Sequence, residues 1–478
     1  MNAFDFMRYE WKLQFSSRPA FLVFLVFVST LIYGGFAGQA ERGARKSAIE
    51  NHDRTVSTKM SGWLKDLRAL EQDDGSTDLP SLTGSAMDVI FASSLPQEPL
   101  SDFSIGQSDL LPFFGEISLK NPNIRLFSKY EFADPIGLAL GNFDISKAVL
   151  LFVPLMLIIF CFDVTSADRD SRRLGLIMLQ GINLRNLFWK RIFFRALIVI
   201  GVTCASAFAV MVYNSQGMAD DGRFAIFAVW MTFVVFYGAF WSVLIAFVAS
   251  FNRSGEFNVL TLLGLWVGLT LIGPATSSSL ADALYPSPSR LTYLAEAREV
   301  ENETRLSEPD VVNEFMLDHP ELLVDVESQF PDYVSSSFLV TSTVDEATAP
   351  IIAGFEEALG RREELMDVFR YLSPAIAVHS LFNEVTGTSG RRHNSYLMQA
   401  RGFKANYAKL VGPNIIGRKP ISTEFFENVP EFEFKEEPLG MRLGSGLRPI
   451  IFLLLIVFSL TIITNRQLVK ISPVLSKT

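Results

Sequence analysis

The stretch that decides the fold is KAVLLFVPLMLIIFCFDVTSADRDSRRLGLIMLQGINLRNLFWKR, residues 147–191. Its first part, residues 147–164, is an apolar run about as long as an α-helix needs to cross a bilayer. Its second part, residues 165–191, places Asp, Arg and Lys around a short apolar core. An apolar helix followed by a charged amphipathic segment is typical of a polytopic membrane protein, and the rest of the chain repeats this alternation.

The apolar residues occur in blocks that polar, acidic stretches separate. Of the 478 residues, 49% are hydrophobic and 42 are Phe. We predict an α-helical polytopic membrane protein because six blocks are long enough to span a membrane as helices. These predicted spans are residues 20–38, 147–164, 192–213, 224–250, 257–276 and 449–465.

The short polar segments differ in charge, which predicts their orientation. Lys and Arg predominate in residues 1–19, 165–191 and 466–478, whereas the loop 214–223 is net acidic. Short loops rich in Lys and Arg stay in the cytoplasm. Both termini and residues 165–191 are therefore predicted to be cytoplasmic.

The two long connections, residues 39–146 and 277–448, are then extracytoplasmic. Together they provide enough chain for a folded domain with its own core. Their excess of acidic residues gives no reason to expect nucleic acid as a partner. The only cysteines, Cys161 and Cys204, lie in apolar runs, so no disulfide framework is expected in the outer domain.

The outer domain is predicted to be mainly helical. Charges spaced three and four residues apart predict a long helix over residues 40–72, continuing from the first span. The alternation of Phe and Glu over residues 431–436 favours a half-buried strand over an acidic, aromatic lip for a ligand or partner. Further helices are expected at 308–330, 346–372, 373–386 and 394–410, and a loop at 73–85.

No catalytic constellation is apparent in the sequence. The four His have no metal-binding spacing, and no P-loop, GxSxG or dinucleotide fingerprint occurs. The cluster Arg391, Arg392 and His393 leaves two alternatives, an anion or substrate site and a solvated turn after Gly390. We therefore expect no catalytic residue, cofactor site or metal site in this chain.

Residues 165–191 resemble the cytoplasmic loop of the ABC-2 type permease family, the membrane subunits of ABC exporters. That loop typically has the pattern A-E-R-E-x-G-T-L. In this chain Asp stands for both Glu, and Arg172 and Arg173 stand where Gly-Thr is usual. The segment FMRYEWKLQFSSRPAFLVF looks like the family's N-terminal interfacial helix, with Glu10 and Arg18 in familiar places. The matching positions of the loop are Ala167, Asp168, Arg169, Asp170, Ser171, Leu174, Leu179, Arg185, Leu187 and Lys190.

The resemblance implies a six-span fold like that of type V ABC exporters, in a subgroup with large extracytoplasmic inserts. Such a permease lies in the bacterial inner membrane among lipids and pairs with a second permease, identical or paralogous. Two copies of a separate ATPase subunit bind ATP and Mg, so this chain is expected not to be an enzyme. The resemblance assigns ATPase coupling to residues 165–191, in particular to Asp168, Arg169, Asp170, Arg172, Arg173 and Arg185.

Two functions agree with these expectations. In the first, ATP hydrolysis drives export of a substrate that the sequence does not identify. In the second, the protein is a mechanotransmission subunit that drives a periplasmic partner and moves no substrate.

Overall fold

The computed structural model describes residues 3–14, 18–72, 86–106, 111–123, 143–171, 183–215, 222–286, 290–307, 317, 332–417 and 421–475. Helices dominate these residues, and their two strands form one antiparallel sheet. The elements are α1 (Ala3–Gln14), α2 (Arg18–Gln72), β1 (Phe91–Ser94), β2 (Phe114–Ile117), α3 (Ile145–Cys161), α4 (Ser166–Asp170), α5 (Leu184–Asn214), α6 (Arg223–Ala249), α7 (Gly255–Trp266), a π-helical segment (Val267–Ile272), α8 (Gly273–Leu284), α9 (Arg290–Leu306), α10 (Asp332–Leu372), α11 (Pro374–Thr386), α12 (Gly390–Ile416), α13 (Thr423–Glu427) and α14 (Leu439–Leu475).

Within the described residues, six helical segments are long and apolar enough to cross a membrane. The prediction of a helical protein with six such segments is confirmed. The segments are Arg18–Ala69, Ile145–Arg169, Leu184–Asn214, Arg223–Ala249, Gly255–Leu284 and Gly446–Lys470.

The first apolar segment continues without a break into the polar first long connection. Helix α2 contains 55 residues, which confirms the helix predicted over residues 40–72. The ion pair between Glu41 and Arg45, at 3.0 Å and four residues apart, supports its outer half. At Gly38 the helix meets the loop around Asp102, where an added Cβ would lie 1.9 Å from the Asp102 carbonyl oxygen. Only glycine allows this approach.

The core of the membrane region includes a helix from the second long connection. The buried Trp230 of α6 lies between Phe103 and Phe382, with ring centroids 5.1 Å from each. Phe382 belongs to α11, which packs against α6 and α14. Ser373 caps this helix by accepting a hydrogen bond from Ile376 N, and Gly387 ends it with φ 70°. The helix predicted at residues 373–386 is thus confirmed.

A second core joins parts of the two long connections. Strands β1 and β2 pair from Phe91 with Ile117 to Ser94 with Phe114. Phe91 packs edge-on against Tyr407 of α12 with centroids 4.9 Å apart, and the Tyr407 hydroxyl donates to Ala86 O at 3.0 Å. The helices predicted at 346–372 and 394–410 lie within α10 and α12. The predicted loop 73–85 and, apart from residue 317, the predicted helix 308–330 lie outside the described residues.

The strand predicted at residues 431–436 is wrong. The side chains of Phe432 and Phe434 do face inward and those of Glu431 and Glu433 outward, as the alternation indicates, whereas the carboxylate of Glu436 bonds to the buried Arg392. Phe432 packs against Phe403 at 5.7 Å. The segment nevertheless joins no sheet, because a helix, α12, lies beside it. The side chain of Gln399 replaces a strand partner, accepting from Lys435 N at 2.8 Å and donating to Lys435 O at 3.0 Å.

Candidate functional site

A cluster of buried and half-buried charges joins the helices at one end of the membrane region. We call it the charged junction and define it as Glu10, Asp163, Asp168, Arg191 and Arg195. Glu10 comes from α1, Asp163 from the turn after α3, Asp168 from α4 and both arginines from α5. The junction therefore connects the N-terminal helix, the second apolar helix, the loop after it and the third apolar helix.

Arg195 makes the most complete set of bonds in the junction. Its Nε donates to Glu10 Oε2 at 3.0 Å, and its Nη1 donates to Asp163 Oδ1 at 2.7 Å and to Phe160 O at 2.8 Å. The Arg195 side chain is 3% exposed and that of Glu10 is fully buried. Because a buried charge is strongly destabilising when its partner is removed, these contacts hold α1 against α5.

Arg191 lies one turn before Arg195 on the same face of α5. Its Nε is 3.2 Å from Glu10 Oε1, and its Nη1 donates to Val164 O at 3.0 Å and to the Asp168 carboxylate. Two cations thus share one buried carboxylate, and Arg191 also connects that carboxylate to α4. The spacing of four residues on α5 is what brings both guanidinium groups to Glu10.

Arg169 links α4 to a second loop at the same end of the molecule. Its Nη1 donates to Asn252 O at 2.6 Å and to Asn252 Oδ1 at 3.2 Å. Asn252 lies in the turn between α6 and α7 with φ 55°. Asn adopts this left-handed conformation more readily than most other non-glycine residues. Hydrogen bonds therefore attach α4 to this turn as well as to α5.

Polar contacts at this end also include the last apolar helix. Trp189 Nε1 donates to Asn465 Oδ1 at 2.8 Å, which connects α5 to α14. Ser250 Oγ donates to Gln467 Oε1 at 2.7 Å, which connects the end of α6 to α14. Side chains at this end of the molecule thus bond α1, α4, α5, α6 and α14 into one network.

The structure brings together some of the residues singled out from the sequence. Asp168 and Glu10 belong to the charged junction, and Arg169 is attached to its edge. Arg185 is exposed on the first turn of α5, and Arg18 is exposed at the start of α2. The side chain of Asp170 and the whole of Arg172 and Arg173 lie outside the described residues.

Sequence reasoning missed Asp163, Arg191 and Arg195 as members of a site. The signal was present, since each stands at the end of an apolar run where a charge is costly unless it is paired. The four-residue spacing of Arg191 and Arg195 also indicated one helix face. Their common partner, Glu10, could not be inferred because it lies 185 residues from Arg195 along the chain.

The cluster at Arg391, Arg392 and His393 forms the first turn of α12. The solvated turn weighed for it is therefore wrong, and Arg392 is only 6% exposed. Arg391 Nη2 lies 2.8 Å from Glu384 Oε1. Arg392 Nε and Nη2 donate to the Glu436 carboxylate at 2.9 and 2.6 Å. Both arginines are already neutralised by carboxylates of the chain.

His393 differs from its two neighbours because its environment favours the neutral imidazole. Burial, together with the charge of Arg392, lowers the pKa of His393 from 6.5 to about 4. At neutral pH it therefore adds no positive charge. Glu384, the acid beside Arg391, shifts in the opposite direction. Burial raises the pKa of Glu384, and this effect exceeds the lowering effect of Arg391.

Comparison with known proteins relates part of the second long connection to a described family. A family model described as Domain of unknown function (DUF3526) matches residues 290–435. The match includes α9 to α12 and the cluster at Arg391, and it contains no residue of the charged junction. No curated protein and no solved structure matches the chain. Within the part of the chain that the structure describes, no three His, Cys, Asp or Glu are grouped to hold a metal ion.

Proposed function

We propose that this chain is the membrane-spanning permease subunit of an ABC-2 type transporter in the bacterial inner membrane. In this proposal two copies of a separate ATPase subunit bind ATP and Mg and dock on residues 165–191. A second permease completes the membrane unit, and ATP hydrolysis drives export of a substrate. The observation that carries the proposal is the charged junction, which ties the docking segment to the helices that would have to move.

The junction suits the transmission of force because its links are short, directional and partly buried. Asp168 bonds to Arg191, and Arg169 bonds to Asn252, so α4 is attached to two neighbouring elements. Charge-assisted hydrogen bonds of this kind are about twice as strong as neutral ones. A push on α4 would therefore move α5 and the turn between α6 and α7 rather than bend α4 alone.

The test is the ATPase activity of a reconstituted complex of this chain with a candidate ABC ATPase subunit from the same organism. We expect Asp168→Asn with Asp170→Asn to assemble with the ATPase and to reduce the stimulation of ATP hydrolysis by the permease. Loss of a charge-assisted bond costs about 1.5–3 kcal/mol, which corresponds to roughly tenfold or more in a coupling constant. Lys12→Gln, an exposed position on α1, is the matched control. Unchanged stimulation in the double variant would reject the docking role.

A mechanotransmission subunit is the second candidate, and the continuity of α2 favours it. This helix runs from the first apolar span to the outer domain, where Trp63 packs against Phe426 with centroids 5.2 Å apart. A tilt of the span would be carried outward by one rigid element. ATP-dependent changes in distances measured between spin labels at Lys59 of the two permeases, without any transported substrate, would support this alternative. Substrate accumulation in inverted vesicles would support export.

A further inference from the structure

A cleft opens in the outer domain between the outer half of α2, residues 95–105 with 111–113, and the junction of α11 with α12. The space inside it that a water-sized sphere can occupy is about 40 Å³, which is room for a small charged group rather than for a whole small molecule. One part of its wall is apolar, and another part carries guanidinium groups of α2. The apolar lining residues are Ile49, Leu95, Pro96, Ile105, Leu111 and Phe113.

Arg42 lines this cleft with an incompletely bonded guanidinium group. Its buried Nη1 has no hydrogen-bond partner among the described residues. The nearest carboxylate oxygen, Asp102 Oδ1, is 3.6 Å away. Asp102 is already engaged, because Arg223 Nη2 donates to both of its oxygens at 3.0 and 2.8 Å and Asn214 Nδ2 donates at 2.7 Å. The charge of Arg42 is therefore only partly compensated.

Arg45 lies one turn further along α2 and shows the same pattern. Its Nε donates to Glu41 at 3.0 Å, whereas its buried Nη2 has no partner in the described part of the chain. The guanidinium carbon lies 5.3 Å from the centroid of the Phe113 ring, which holds the group at the cleft wall. The Ser101 hydroxyl also lines the cleft and lacks a partner among the described residues.

Two other charged side chains of the cleft, Arg392 and Glu98, bond to groups of the chain. Arg392 bonds Glu436 through Nε and Nη2, and its Nη1 donates to Gly387 O at 3.0 Å. Glu98 pairs with Arg442 at 2.9 Å. Among the described residues that line the cleft, the buried side-chain atoms without a hydrogen-bond partner thus belong to Arg42, Arg45 and Ser101. Buried donors without acceptors are costly, so this arrangement favours an acceptor from outside the chain, either water or an anion.

We propose that this cleft binds an amphipathic anion. Its carboxylate or phosphate accepts hydrogen bonds from Arg42, Arg45 and Ser101, and its apolar part lies against the wall around Phe113. Guanidinium groups suit both anions because their planar donors match two oxygens at once. The site does not depend on the proposed transport function, since it would bind its ligand with or without an ATPase partner.

The anionic group could belong to a lipid or to a soluble molecule. Arg42 lies one turn beyond the predicted span 20–38, at the level expected for a lipid headgroup. The test therefore begins with soluble probes. Octyl phosphate and octanoate carry the anion on a short apolar chain, and 1-octanol carries the same chain without it. Binding to the purified full-length protein in a neutral detergent is measured by calorimetry.

We expect both anionic probes to bind and 1-octanol to bind at least roughly tenfold more weakly, because charged hydrogen bonds are lost. Arg45→Gln should weaken octyl phosphate to a similar extent. Lys46→Gln is the matched control, since Lys46 is adjacent, 68% exposed and outside the cleft lining. Ser101→Ala removes an unused donor without breaking any bond from its hydroxyl, so it keeps the fold and should still weaken binding.

Two results would overturn the proposal, namely equal binding of 1-octanol and octyl phosphate, or wild-type affinity in both Arg45→Gln and Ser101→Ala. Nanodiscs then identify the source of the anion. Competition by phosphatidylglycerol but not phosphatidylcholine nanodiscs would support an anionic lipid as the ligand. Octyl phosphate binding that is unchanged in phosphatidylglycerol nanodiscs would support a soluble anion.

Discussion

The contact between Glu10 and Arg195 allows a direct test of whether α1 is fastened to the membrane helices through charge. Glu10→Gln and Arg195→Gln each remove one charge from the junction. Arg195→Gln also removes the donors for Asp163 and Phe160 O. Because both side chains are almost fully buried, water cannot replace the lost partner without a rearrangement.

The expected magnitude follows from this burial. Breaking a buried ion pair on one side costs about 3–5 kcal/mol, because the remaining charge is left uncompensated. Arg191 still lies 3.2 Å from Glu10 in the Arg195 variant, so we expect the lower end, about 3 kcal/mol, for that change. The double variant leaves neither charge of this pair behind. The double variant should lower the free energy of unfolding by about 1–3 kcal/mol less than the two single variants do when their effects are added. This difference is the coupling energy typical of residues in contact.

The assay is reversible unfolding of the purified protein in mixed micelles, followed by circular dichroism for the wild type, both single variants and the double variant. Lys12→Gln on α1 and Lys190→Gln on α5 are exposed controls for the same two helices and should change stability little. Additivity of the two single variants within about 0.5 kcal/mol would refute the reasoning, because it would mean that the two side chains do not interact.

Other predictions concern packing, pH and the Phe/Glu segment. Gly38→Ala should destabilise the protein because its Cβ would clash with the Asp102 carbonyl. On the same helix, a Cβ added at Gly43 would have no atom within 4 Å, so Gly43→Ala should raise the free energy of unfolding by up to about 1 kcal/mol, as measured by thermal unfolding. Since burial lowers the pKa of His393 from 6.5 to about 4, the unfolded chain protonates this residue at a higher pH than the folded chain does. The free energy of unfolding should therefore drop by up to about 3 kcal/mol as the pH falls from 6.5 to about 4. The His393→Gln variant should lack this contribution to the drop. An identical pH profile in the variant would contradict the assignment. Gln399→Leu should speed amide hydrogen exchange in residues 431–436, and unchanged exchange would show that its bonds to this segment are dispensable.

The membrane helices could be predicted from the sequence because their signal is local. An apolar run of sufficient length has few other structures open to it. The same holds for α11, where Ser373 supplies an N-cap, Pro374 begins the helix and Gly387 ends it. Such elements require no knowledge of distant residues.

The parts that could not be predicted depend on distant partners. The alternation over residues 431–436 correctly indicates which side chains face inward, yet a strand needs a partner strand, and α12 lies there instead. The charged junction shows the same limit, since Glu10 looks like any polar residue of an amphipathic helix until α5 is placed beside it. Arg42 and Arg45 likewise look like solvated helix charges, and the packing of residues 95–105 and 111–113 against α2 encloses them.

Co-purification with an ABC ATPase subunit tests most directly whether this chain is the membrane subunit of an ABC transporter. The chain is expressed with a candidate ABC ATPase subunit from the same organism, extracted in a mild detergent and assayed for ATP hydrolysis. We expect a stable complex that hydrolyses ATP. In the Asp168→Asn, Asp170→Asn variant, we expect the stimulation of ATP hydrolysis to be lost. A folded chain that retains no ATPase, with no ATP hydrolysis above that of the isolated ATPase, would contradict the proposed coupling role.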